Sequence, residues 1–160
     1  MSAALGLMFE RALIPLHLRE REARVETVVS LLARLSIHHV RLLHVSASSS
    51  GARRSAETVD KMARDLTETG NSGGALTVSA QTTSGSAVTE IIQTAVAQEI
   101  DVIAVPWKRK NWVQRSLLGS TSLDLIRMAP IPILIQKSSI GRNPETEEPL
   151  SVLYASDLSE

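Results

Sequence analysis

Residues 101–135 read DVIAVPWKRKNWVQRSLLGSTSLDLIRMAPIPILI. The first five, 101–105, are a short apolar run behind one acid, as expected of a strand buried on both faces. A polar loop follows over 106–118. Gly119 and Ser120 then open a helix that runs to about Met128, since Ser and Thr suit the position where the first helical N–H groups need an acceptor. Pro130 and Pro132 bracket Ile131, and 133–135 (Ile-Leu-Ile) reads as a second apolar strand. Two buried strands joined through a helix make a β-α-β unit, with parallel strands and a right-handed crossover.

The same alternation extends upstream. Residues 12–16 (Ala-Leu-Ile-Pro-Leu) read as a strand, with Pro15 as the objection because it lacks a ladder donor. Residues 19–35 read as a helix, with Val25, Val28, Val29 and Leu32 on one face. Residues 39–45 are a second strand and 46–51 a serine-rich loop. A helix over roughly 55–68 places Val59, Met62, Ala63 and Leu66 together, and three glycines within 70–74 end it. Residues 75–81 alternate as a half-buried strand and 82–86 form a turn. Ser86 caps a helix that groups Val88, Ile91, Ile92, Ala95 and Val96. The order β-α-β-α-β-α-β-α-β predicts an α/β domain, a Rossmann-like open parallel sheet with helices on both faces. Ligands of such sheets bind beyond the C-terminal strand ends, where the strand order reverses.

Composition narrows the function. The 160 residues carry 17 Lys plus Arg and 17 Asp plus Glu, a formal charge of zero, which argues against attraction of the whole surface to nucleic acid or anionic membrane. There is no cysteine, which excludes disulfides, thiolate metal sites and thiol catalysis. The aromatics are Phe9, Trp107, Trp112 and Tyr154 alone, too few for a base-stacking platform. No secretory signal or 18-residue apolar run is seen, so the expected location is the cytoplasm, without a membrane segment. No Gly-x-Ser-x-Gly, His-Glu-x-x-His or Gly-x4-Gly-Lys-Ser/Thr motif occurs, and no catalytic residues are assigned. His17 and His44 end adjacent strands and could hold a metal, but no third ligand is expected beside them, so both read as structural.

The tail differs in character. Residues 138–149 contain Gly141, Pro144, Pro149 and several Glu, and read as a linker after a domain over 1–137. Residues 152–160 align with 12–20, sharing Leu153 with Leu13, Leu158 with Leu18 and Glu160 with Glu20, as the start (150–160) of a truncated second repeat would.

Together these stretches resemble the universal stress protein family over about 9–137. The resemblance rests on Ala-Leu-Ile-Pro-Leu-His at 12–17, Arg-Leu-Leu-His-Val at 41–45, Leu-Leu-Gly-Ser at 117–120 and Ala-Pro-Ile-Pro-Ile-Leu-Ile at 129–135. It implies a five-stranded sheet of order 3-2-1-4-5, a homodimer through the last strand (131–135) and, in ATP-binding members, a Gly-x2-Gly-x9-Gly-Ser/Thr loop. Gly119 and Ser120 supply the last pair, but the other two glycine positions hold Pro106 and Arg109, and His17 stands where the family has an acid. Asp157 restores that acid in the second repeat.

The expected vestigial site therefore comprises Gly119, Ser120, Thr121, Arg109, Lys108 and His17. No resident cofactor is expected, ATP being the one that the resemblance raises. The loop 107–115 has four basic residues and reads as a solvated loop or as a replacement anion clamp; a nucleic-acid contact is set aside because the net charge is zero. The expected function is non-enzymatic: a stress-response dimerisation and interaction module with a degenerate nucleotide loop. The alternatives are an ATP-binding module with weak or no ATPase activity, and a domain docking to a transporter.

Overall fold

The computed structural model describes residues 9–18, 22–70, 76–106 and 120–136. Its elements alternate: β1 (Arg11–Leu16), α1 (Glu22–Arg34), β2 (His39–Ser46), α2 (Ser49–Gly70), β3 (Thr77–Ser84), α3 (Ala87–Ala97), β4 (Val102–Pro106), α4 (Ser120–Met128) and β5 (Ile133–Gln136). The strands form one parallel sheet in the order β3-β2-β1-β4-β5, as expected. The predicted linker and second repeat, 138–160, lie outside the described residues.

Strand periodicity sorts the core into two layers. Ala12, Ile14, Val40, Leu42 and Val78 pack with Val25, Leu32, Val59 and Leu66 of α1 and α2. Their neighbours in sequence, Leu13, Leu43 and Ile103, pack with Ile91, Ala95 and Leu125 of α3 and α4 on the other face. All of these side chains are aliphatic, in keeping with the scarcity of aromatics.

Pro15 sits inside the central strand without cost to the ladder. The Glu10 carbonyl accepts from His39 N–H of β2 at 3.2 Å, and the Arg11 carbonyl accepts from Asp101 N–H beside β4 at 3.0 Å. Backbone groups alternate sides along a strand, so position 15 faces β4. The β1–β4 pairing ends at Leu13–Ile103, before a donor at 15 is needed.

Asp101 ties down the opposite end of β1. Its Oδ2 accepts from both Glu10 N–H and Arg11 N–H at 2.8 Å. Asp101→Ala removes both charge-assisted bonds, and water recovers part of the loss. The expected destabilisation is about 2 kcal/mol by urea unfolding, and an unchanged midpoint would contradict the clamp.

The structure corrects several expectations. Helix α2 begins at Ser49, not near 55, so Ser49, Ser50 and Gly51 belong to its first turn. Ser48 makes this start, its Oγ accepting from Gly51 N–H at 3.2 Å and its carbonyl from Ala52 N–H at 2.9 Å. Gly51 suits the turn because a Cβ there would crowd the Ser46 Oγ. Strand β3 runs on to Ser84, so 82–84 is strand rather than turn, in register with His44–Ser46 of β2. Ser86 occupies the cap position of α3 but makes no side-chain cap bond. Val96, expected on the buried face of α3, is 57% exposed. β3 is an edge strand of the sheet. Thr67 of α2 accepts the outward Val78 N–H through its Oγ1 at 3.2 Å, which blunts that edge.

Candidate functional site

The strand order reverses between β1 and β4. The chain steps from β1 to β2 and β3 on one side, then crosses to β4 and β5 on the other. In sheets of this order the crevice that takes ligands lies beyond the C-terminal ends of the two strands that flank the reversal, here β1 and β4. Leu16 and Pro106 each lie three positions beyond the last β1–β4 pair, Leu13–Ile103.

Around this crevice His17 follows β1 and is exposed. Pro106 closes β4, half-buried and paired in register with Gln136 of β5. Helix α4 starts at the same end of the sheet with Ser120 exposed and Thr121 half-buried. Lys108, Arg109 and Gly119 lie outside the described residues.

This set has mixed chemistry. The first turn of α4 presents N–H groups and the positive end of the helix dipole, which favour an anion. Pro106 has no N–H and a fixed φ, so the backbone there cannot donate to a phosphate or fold back as glycine would. At the end of β1, His17 places an imidazole where the resemblance leads one to expect a carboxylate.

His44 is not part of this surface. It is 8% exposed and its Nδ1 donates to the Leu16 carbonyl at 3.1 Å, joining the ends of β1 and β2. Its role is structural, as read from the sequence.

A hydroxyl cluster escaped that reading. Ser49 Oγ lies 3.2 Å from Ser84 Oγ, and Ser48 Oγ lies 3.2 Å from Ser50 Oγ, at the C-terminal ends of β2 and β3. The signal was the serine-rich run at 46–50, which composition alone assigns to a loop.

The solved structures share this architecture. The hypothetical protein PH0823 superposes with a TM-score of 0.66 at 20% identity, covering 84% of this chain and 100% of that one. A universal stress protein in complex with cAMP gives 0.58 at 13% identity, covering 82% and 99%. The universal stress protein from Archaeoglobus fulgidus in complex with dAMP gives 0.57 at 13% identity, covering 81% and 99%. At such identities the likeness shows the fold alone. No curated protein matches the chain by sequence. The universal stress protein family matches residues 8–137. With the strand order and the crevice in place, that match shows that the chain belongs to the universal stress protein family.

Proposed function

We propose that this domain is a non-enzymatic regulatory module of the stress response, working in the cytoplasm as a homodimer, with a crevice that does not hold ATP in the manner of its nucleotide-binding relatives. The observation that carries the reading is Pro106 at the end of β4, in the crevice where the glycine loop would begin. A missing donor and a fixed φ at that point oppose a backbone cradle for phosphates. His17 at the end of β1 acts in the same direction.

The dimer rests on the sheet edges. Thr67 covers part of the β3 edge. At the other edge, β5 carries half-buried Ile133, Leu134 and Ile135, and no backbone partner lies on its outer side among the described residues. An apolar strand edge of this kind invites pairing with a second copy. Pro132 O accepts from Ile103 N–H of β4 at 3.0 Å, so by alternation the Ile135 N–H faces outward. Ile135→Pro therefore removes an outward donor and spares the β4 ladder. The expected result in light scattering is a dimer for the wild-type chain and a monomer for the variant, with similar melting temperatures. A monomeric wild-type chain at high micromolar concentration, or a variant that remains dimeric, would contradict the dimer.

Two observations favour a second reading, in which an adenine nucleotide still binds: α4 begins at Ser120, and two fold relatives were solved with cAMP and dAMP. In that case Lys108, Arg109 and Lys110 act as the clamp, and replacing all three by Ala removes the binding. The account extends to residues 150–160 as the start of a second repeat, where Asp157 supplies the acid absent at His17.

A further inference from the structure

The β3 edge of the sheet is closed only in part. Thr77 N–H points inward to the His38 carbonyl at 2.7 Å, so by alternation the even positions of β3 face outward. At Val78, Thr67 Oγ1 accepts from the outward N–H at 3.2 Å and lies 3.3 Å from the outward carbonyl. Further along, Ala80 and Thr82 each turn an N–H and a carbonyl outward. No partner for these groups lies among the described residues. An open run of this kind can take one more strand.

A hollow of about 310 Å³ adjoins this edge, between β3 and α2. Val78, Ala80 and Ala63 give it an apolar floor, and the small alanines leave it open. Asp60, Arg64 and Glu68 of α2 form its wall, and all three are exposed. A strand added to β3 would lie about 4.8 Å away and turn every second side chain toward this wall.

The spacing of the wall suits such a strand. Asp60, Arg64 and Glu68 recur every four residues, a step of about 6 Å along the helix. Alternate side chains of a strand step by about 6.7 Å, so the two rows stay matched over three positions. None of the three wall residues is in an ion pair among the described residues, and the neighbouring Lys61 is taken by Asp65 at 2.7 Å. The wall thus offers anion, cation and anion in order. Its complement is a strand with cation, anion and cation at alternate positions. A second copy of β3 fits poorly: antiparallel pairing over Ala80–Ser84 sets Asp60 near its own equivalent, and opposed like charges destabilise.

We propose that the open part of the β3 edge docks an extended segment of another protein, of the pattern cation-x-anion-x-cation. Its backbone pairs with Ala80 and Thr82. Its central carboxylate meets Arg64, and its flanking cations meet Asp60 and Glu68. Thr67 ends the pairing at Val78, so the cation near Glu68 reaches it through its side chain alone. Exposed ion pairs add little each; the backbone supplies the affinity and the charges supply the selectivity. The pattern reads the same in both directions and does not fix the polarity of the added strand. This surface is separate from the crevice and from the β5 edge.

A blocked peptide, Lys-Thr-Glu-Thr-Lys, tests the proposal when titrated into the intact chain with backbone amide NMR as the readout. It is expected to bind with a Kd of about 1 mM or tighter and to move the Ala80 and Thr82 amides most. The inverted peptide Glu-Thr-Lys-Thr-Glu is expected to bind about tenfold more weakly. Ala80→Pro removes an outward donor, spares the β2 ladder and should abolish the shifts. Arg64→Glu, on the exposed helix surface, should switch the preference to Lys-Thr-Lys-Thr-Lys, and it serves as the test should Ala80→Pro fail to fold. Equal affinity for the three peptides in the wild-type chain, shifts elsewhere or none, or binding unchanged by Ala80→Pro would each overturn the proposal. So would light scattering in which Ala80→Pro breaks the wild-type oligomer, since a second copy would then hold this edge.

Discussion

Leu13→Ala is expected to lower the unfolding free energy by about 3–5 kcal/mol, a large share of the stability of a domain this size. Leu13 is fully buried and lies on the central strand, where it packs in one cluster with Leu43, Ile91 and Ile103. Three carbons, the Cγ and its two methyls, would be lost from a site that cannot close easily. The backbone of β1 is held by β2 along its length and by β4 at Ala12 and Leu13. α3 supplies Ile91 and Ala95 from above, and both are buried. With its walls fixed on three sides, the cavity persists and the cost falls in the upper part of the range for such truncations. Urea unfolding with an unchanged slope and a lower midpoint would agree. A loss below about 1 kcal/mol would mean that this layer is loosely packed and that the two-layer core is wrongly drawn.

The second large effect is a gain of function. His17→Asp, Pro106→Gly and Arg109→Gly together restore the acid at the end of β1 and both missing glycines of the loop. Glycine at 106 returns an N–H and frees φ, and glycine at 109 removes bulk where backbone must approach phosphate. Ser120 and the α4 start are already in place. The triple variant is expected to bind Mg-ATP at least about tenfold more tightly than the wild-type chain, read by calorimetry. If the variant folds normally and gains no affinity, these three positions are not what separates this domain from its nucleotide-binding relatives.

Much of the architecture was legible because it depends on local pattern. Strands such as Val102–Pro106 are continuous apolar runs, and α1 shows its buried stripe in Val25, Val28, Val29 and Leu32. The strand order came from family resemblance, since alternation alone does not say which strands are neighbours. The start of α2 does not show in the pattern because serine serves loops and helix caps equally; Ser49, Ser50 and Gly51 stand in its first turn. β3 was cut short because Thr82 and Thr83 look like turn residues, yet each has a pairing partner in β2. Val96 follows the helical stripe of α3 but is 57% exposed, one residue before the helix ends. Of the expected site, His17, Ser120 and Thr121 lie among the described residues, with Pro106 at the same end of the sheet, and Lys108, Arg109 and Gly119 lie outside them. The hollow beside β3 could not be read in advance, because residues 60, 64 and 68 meet 78 and 80 through the fold alone.

The central claim is that the crevice has lost the backbone cradle for ATP, and calorimetric titration of Mg-ATP into the wild-type chain tests it most directly. The account predicts no binding heat at ATP concentrations up to about 1 mM. Saturable binding with a Kd of about 10 μM or tighter would contradict it, and would mean that the cationic loop after Pro106 and the first turn of α4 hold the nucleotide together.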